Sequence, residues 1–195
     1  MKILAISDVE EKVLYEETKR EKIGAVDLII SCGDLEVDYL SYISTVYGAP
    51  LFYVRGNHDK MMTDQISCGE NLHGRIVRYK SLRMMGFEGG PYFSGDGIEY
   101  TESQMNIQTS LAILKSKFIG KPDIVVAHTS PRGIHEGGDY THRGFSGFIR
   151  IIDKLQPRFF LHGHTHLNYG RNLPRVTKVK GTTVINVYGY YVVEC

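Results

Sequence analysis

LFYVRGNHD, residues 51–59, sets four apolar residues and Arg55 in front of Gly56-Asn57-His58-Asp59. A short apolar run stopped by glycine reads as a strand covered on both faces. The polar quartet then sits at the strand's C-terminal end. The same punctuation recurs along the chain. KILAIS (2–7) runs into Asp8-Val9-Glu10, and DLIIS (27–31) into Cys32-Gly33-Asp34. DIVVAH (123–128) ends on His128, and RFFLH (158–162) leads to Gly163-His164-Thr165-His166. In an α/β sheet the C-terminal strand ends share one edge, where ligand sites form. Five distant segments therefore deliver acids, an amide and imidazoles to one crevice.

Further strands are expected at RIVRYK (75–80), SLRMMGF (81–87), RVTKVK (175–180), TTVINV (182–187) and YYVVE (190–194). Helical spacing links Leu35, Tyr39, Ile43 and Val46; Ile107, Leu111, Leu114 and Phe118; and Phe145, Phe148, Ile152 and Leu155. Thr101 and Gln104 fit a capping box for the second of these helices. Residues 9–23 read as a weaker, highly charged helix, and 167–170 as a turn. Helix and strand alternate early and strands dominate late, which predicts two packed sheets with helices outside. A length of 195 residues suits one domain, 1–195.

The hydrophobic fraction of 42% and charged fraction of 23% are those of an ordinary globular chain, and a formal charge of +1 provides no field for polyanions. Nucleic acid as a partner is argued against on that ground. Three unpaired cysteines, Cys32, Cys68 and Cys195, point to a reducing compartment, and no apolar window is long enough to span a membrane. The expected location is the cytoplasm, and self-association stays open.

The donor inventory suits metal. Carboxylates together with imidazoles bind borderline divalent ions such as Mn, Fe and Zn, whereas an all-oxygen cage favours Mg or Ca. There are too many donors for one four-coordinate ion, so two ions are expected, roughly 3.5–4 Å apart and bridged by a carboxylate such as Asp34. Asp8 and Asp34 could instead cap the helical patterns behind them, but the donors at the other strand ends favour metal. His164 and His166 project to one side of an extended stretch. His162 ends a buried strand and reads as structural, while His73 and His135 read as solvated. Arg55 is either a phosphate contact or half of a structural ion pair. Phe145 and Phe148 read as core.

The series Asp8-x-Glu10, Gly33-Asp34, Gly56-Asn57-His58-Asp59, His128 and Gly163-His164-x-His166 resembles the calcineurin-like metallophosphoesterase superfamily, in order and spacing, over nearly the whole chain. The resemblance implies a four-layer α-β-β-α sandwich of two mixed sheets flanked by helices, with a dinuclear centre at the C-terminal strand edge. Carried over by position, one metal takes Asp8, Glu10, Asp34 and His166, and the other takes Asp34, Asn57, His128 and His164. It further implies that a metal-bridging hydroxide attacks phosphorus while His58 protonates the leaving oxygen.

Two departures stand out. The family's first motif is Asp-x-His, and here Glu10 replaces the imidazole; it either ligates, shifting preference toward Mn or Mg, or fails to reach. The protein-phosphatase branch pairs its catalytic histidine with an Asp three residues after the bridging Asp, and here that position is Val37. The partner of His58 is then Asp59 or Asp38. The long polar segment 128–145 resembles, more loosely, the corresponding part of small class III phosphodiesterases. It is expected to wall the pocket and to contact substrate through Asp139, His142 and Arg143. The expected function is hydrolysis of a small phosphodiester or phosphomonoester with two divalent ions, Mn foremost among Mn, Fe, Zn and Mg. The alternative is a binding or scaffold module with a degraded first metal site.

Overall fold

The computed structural model describes residues 1–59, 68–167 and 174–195, so most of the turn expected at 167–170 lies outside the described residues. The first sheet contains β1 (Lys2–Ser7), β2 (Leu28–Ser31), β3 (Leu51–Tyr53), β4 (Gly69–Asn71) and β13 (Gly189–Glu194), in the order β13-β1-β2-β3-β4. The second contains β5 (Ile76–Tyr79), β6 (Leu82–Phe87), β9 (Ile124–Ala127), β10 (Phe159–His162), β11 (Val176–Val179) and β12 (Thr182–Asn186), in the order β11-β12-β10-β9-β6-β5. A short ribbon pairs β7 (Gly90–Pro91) with β8 (Glu99–Tyr100). Both sheets are mixed. The strands β1 to β4 run parallel with β13 antiparallel at one edge; β6, β9, β10 and β12 run parallel with β5 and β11 antiparallel outside them.

The inner strands β1, β2, β3, β6, β9 and β10 read as apolar runs because they are buried on both faces. Along β1, Ile3 and Ala5 enter the layer between the sheets, where they meet Leu28, Ile30, Met84, Val126 and Leu161. Leu4 and Ile6 point the other way, into a layer closed by α1 (Glu17–Ile23) and α2 (Val37–Tyr47) through Ile23, Leu40 and Ile43. On the far side Val125, Phe160 and Val184 pack against α3 (Glu102–Ile119) and α4 (Ser146–Leu155) through Met105, Phe148 and Ile152. Phe145 and Phe148 are core, with ring centroids 5.6 Å apart. The capping box is present: Gln104 N–H donates to Thr101 Oγ1 at 3.3 Å, and Thr101 N–H to Gln104 Oε1 at 2.8 Å.

Several expectations need correcting. The charged helix over 9–23 is two pieces, a 3-10 turn at Lys12–Leu14 and then α1, because Leu14 turns inward to full burial. The short polar strands β4, β7 and β8 escape the periodicity rule because they carry little apolar signal. The apolar stripe Ile107, Leu111, Leu114 and Phe118 does not face the core. The buried side of α3 carries Met105, Thr109, Ala112 and Ser116. Small side chains win that face because the helix passes closely over α4 at Gly147, where an added Cβ would run into Thr109.

Arg55 joins the two sheets at the edge that carries the crevice. Its Nε and Nη2 donate to the buried Glu88 carboxylate behind β6, at 2.8 and 3.1 Å, and Tyr100 Oη donates to the same group at 2.9 Å. Of the two readings of Arg55, the side chain therefore takes up the ion pair. His73 is half-buried and not solvated: its Nδ1 accepts from Glu88 N–H at 3.1 Å. Arg55→Met should strand that carboxylate in the core and cost about 3 kcal/mol of unfolding free energy in urea titrations.

Candidate metal centre

Asp8 follows β1, Asp34 follows β2 and His164 follows β10, and all three hold left-handed backbone conformations, with φ of 65°, 54° and 63°. Non-glycine residues adopt that region rarely, and such strain collects at functional sites. Here it turns each side chain back across its strand end. The neighbouring glycines supply room. A Cβ at Gly33 would collide with the backbone of Gly56, and one at Gly163 with Ser7 Oγ and the Asp8 carboxylate.

Asp8, Asp34 and His128 each offer a ligand atom within 4.8 Å of the others. His128 is fully buried, and its Nδ1–H donates to Cys32 carbonyl oxygen at 2.7 Å. That bond fixes the tautomer and leaves Nε2 as the free electron pair. Nε2 lies 3.3 Å from Asp34 Oδ2 and 2.9 Å from Asn57 Oδ1. Three acceptors thus face one another, an arrangement that needs a proton or a cation between them. Burial pushes His128 down, but the Asp34 charge and hydrogen bond, with Asp8 behind them, outweigh it and raise the imidazole to about 9. Burial likewise opposes ionising Asp34, and His128 overcomes it, holding the carboxyl well below the usual carboxylate range. The pocket demands positive charge.

His164 is positioned twice. Its backbone N–H donates to Asp8 Oδ1 and Oδ2 at 3.1 and 3.0 Å, and its Nε2–H donates to the Thr141 carbonyl at 2.7 Å. Nδ1 is left free, and the ring stands edge-on to His128 with centroids 4.9 Å apart. Burial, with His128 adding to it, lowers His164 to about 4 and keeps it neutral, as a ligand must be. His166 Nε2 lies 3.7 Å from Asp8 Oδ1, with its ring against Tyr188 at 4.6 Å. Burial opposes ionising Asp8; the hydrogen bond from His166 and the charge of His128 reverse that and lower it.

The family model for the calcineurin-like phosphoesterase superfamily domain matches residues 1–187. The chain belongs to that superfamily. No curated protein matches it. Among solved structures, one crystal structure is 17% identical with a TM-score of 0.69, covering 98% of this chain and 93% of its own. GAP50, "the anchor in the inner membrane complex of Plasmodium", is 16% identical with a TM-score of 0.51 over 96% of this chain and 71% of its own. Wild-type Vps29 complexed with zinc from Entamoeba histolytica is 13% identical with a TM-score of 0.48 over 97% and 74%. For the first two, at these identities, the likeness is one of fold alone, two mixed sheets flanked by helices.

Other expected residues of this superfamily chain fall at different distances from the centre. Glu10 is exposed and its Oε2 accepts from Tyr15 Oη at 2.9 Å, outside the Asp8, Asp34 and His128 group. Asp59, expected beside His58, accepts through Oδ2 from Gly56 N–H at 2.7 Å and Asp34 N–H at 3.0 Å. It holds the turn that carries the ligands. His58 is exposed, and its N–H donates to Asp34 Oδ1 at 2.9 Å. It lines a cleft of about 530 Å³ with Asn57, Phe93, Ser94, His142 and His164. His142 is backed by Asp139, its Nδ1–H donating at 2.8 Å; Thr141 first and His142 next lower the Asp139 carboxyl. Arg143 lines a separate hollow with Tyr100, Arg132 and Tyr140 and is not part of the cleft wall.

Sequence reasoning missed the wall opposite 128–145. Residues 93–99 form it, with Glu99 accepting from Phe93 N–H and Gly95 N–H at 2.8 Å each and from Ser94 Oγ at 3.0 Å. The Gly- and Ser-rich PYFSGDG was the available signal. His135 is buried rather than solvated: its Nδ1–H donates to His162 Nε2 at 2.9 Å, and its Nε2 accepts from Thr177 Oγ1 at 2.8 Å. His162 Nδ1–H donates in turn to Gly163 carbonyl at 3.0 Å, so this neutral chain supports the metal-facing turn.

Two measurements follow from this geometry. Gly163→Ala should displace Asp8 and lower Mn²⁺ affinity in calorimetry by at least about tenfold. Burial lowers His135 to about 4 and His162 to about 3, so between those values and about 6.5 the unfolded chain binds protons that the folded chain refuses. Their contribution to stability is full above that window and lost as pH falls through it. The Tm should drop from pH 7 to pH 4.5, and less steeply in His135→Asn, which tolerates the left-handed backbone at 135.

Proposed function

We propose that the chain is a metal-dependent phosphoesterase acting on a small phosphodiester or phosphomonoester. The observation that carries this reading is the convergence of Asp34 Oδ2, Asn57 Oδ1 and His128 Nε2 on one point. Asp34, Asn57, His128 and His164 form one donor set, and Asp8, Asp34 and His166 the other, with Asp34 common to both. Mixed oxygen and nitrogen donors suit Mn, Fe or Zn, with Mn the first choice. When bound, two such ions supply Lewis-acid charge and an activated water.

The protein's own part is positioning. The cleft of about 530 Å³ accommodates a small ester and opens beside the donors. His58 stands at its mouth on a turn held by Asp59, placed to give a proton to the departing oxygen. His142, buttressed by Asp139, faces the same space and contacts the substrate, and Phe93 covers an apolar leaving group. Arg55 is bonded to Glu88 and Arg143 lines the neighbouring hollow, so this reading assigns the phosphate contact to neither.

The orientation of Glu10 supports a second reading. With that carboxylate bonded to Tyr15, the first donor set lacks a member, and a chain with one weakly held ion would serve as a binding module. Turnover separates the two. Mn-loaded protein should cleave an aryl phosphate mono- or diester; Asp34→Asn should abolish turnover, and His58→Ala should lower kcat by about 10²–10³ with metal content unchanged. A single bound ion with no turnover on either ester would leave the binding module.

A further inference from the structure

The outward face of α3 is the largest unexplained feature of the described surface. Ile107 is 62% exposed, Leu111 52%, Leu114 49%, Phe118 84% and Ile119 52%. Of the eleven exposed large hydrophobic residues among those described, five sit on this one helix. The inward face is already satisfied by Met105, Thr109, Ala112 and Ser116, and Gly147 lets α4 close against it. Rotating the helix to hide the stripe would drive leucines and a phenylalanine into a contact sized for alanine and serine.

Scattered exposed apolar residues need no explanation, but a contiguous stripe does. The spacing here, 107, 111, 114 and 118, is the four-three-four step of a helix–helix seam. It is also symmetric under reversal. Turning a second copy of α3 antiparallel about an axis between Ala112 and Ile113 sets Ile107 opposite Phe118 and Leu111 opposite Leu114. A surface that matches its own reversed image is what a twofold interface requires.

Charge selects the same orientation. The lysines of this region, Lys115, Lys117 and Lys121, gather at the C-terminal end of the helix and just beyond it. Parallel pairing would place each against its own copy. Lys115 is bonded through Nζ to the Gly74 carbonyl at 2.8 Å, and reversal sends Lys117 and the C-terminal end of the helix toward the partner's first turn, which carries Glu102, and away from the partner's own lysines. These five side chains are about half exposed or more, so pairing them would remove several hundred square ångströms of apolar surface per copy, at the small end of specific interfaces.

We propose that the chain self-associates as a twofold dimer through an antiparallel pairing of α3 along Ile107, Leu111, Leu114 and Phe118. The pairing lies on the helix layer outside the second sheet and is independent of the reading of the cleft. The expected strength is that of a small interface, with a dissociation constant on the order of micromolar.

The test is sedimentation of the full chain over a concentration series, beside Leu111→Glu/Leu114→Glu. The parent should shift from 22.1 kDa to twice that mass with rising concentration, and the double variant should stay at 22.1 kDa with an unchanged circular dichroism melt. Orientation is read by cysteine pairs: Ile107→Cys/Phe118→Cys should form an intermolecular disulfide under mild oxidation, and Ile107→Cys alone should not exceed the parent. A parent that remains monomeric to about 200 µM overturns the proposal. So does a dimer indifferent to the glutamates, an open-ended series of larger species, or efficient cross-linking of Ile107→Cys alone. Loss of the melt in the double variant would shift the decision to the cysteine pair, whose failure to cross-link overturns the proposal equally.

Discussion

Two carboxylates, Asp8 and Asp34, are held at the strand ends within reach of one imidazole and one amide oxygen, and the core cannot tolerate that concentration of electron pairs without positive charge among them. The same demand appears at His128, which the Asp34 and Asp8 charges push up despite its complete burial. The rest of the edge is organised around the same need. Backbone strain at Asp8, Asp34 and His164, the glycines that make room for them, and the carbonyls of Cys32 and Thr141 that fix two imidazole tautomers all keep donors aimed at one place.

The support extends behind the donors. Asp59 ties the turns after β2 and β3 together through one oxygen, and the neutral chain Thr177–His135–His162–Gly163 holds the turn after β10 from below. Arg55 and Glu88 fasten the two sheets at the same edge. Each is a buried polar contact that costs stability if half of it is removed. Together they brace the turns after β2, β3, β6 and β10. A metal centre needs such rigidity because its donors come from segments that share nothing locally in sequence.

The apolar runs and the polar groups that end them were readable from residues 2 to 166 because burial on both faces imposes continuous hydrophobicity and the donor-bearing edge imposes its interruption. The resemblance to the superfamily stands on those interruptions, and the match over residues 1–187 agrees with it. Helix α3 was legible as a helix but not in its orientation: periodicity marks an apolar face without saying what covers it. Its true inward face is chosen by the closeness of α4 at Gly147, a contact between residues nearly forty positions apart.

Sequence alone therefore placed the apolar strands along the chain, pointed to two packed sheets with helices outside, and named the candidate donors, since these follow from local composition and from which residue ends each run. Tertiary structure decided which donors meet. It turned Glu10 to Tyr15, gave Arg55 to Glu88, buried His135 against His162, and left Arg143 outside the cleft while bringing residues 93–99 to its wall. Those outcomes depend on side-chain reach and packing across distant segments, where a difference of a few ångströms separates a ligand from a neighbour.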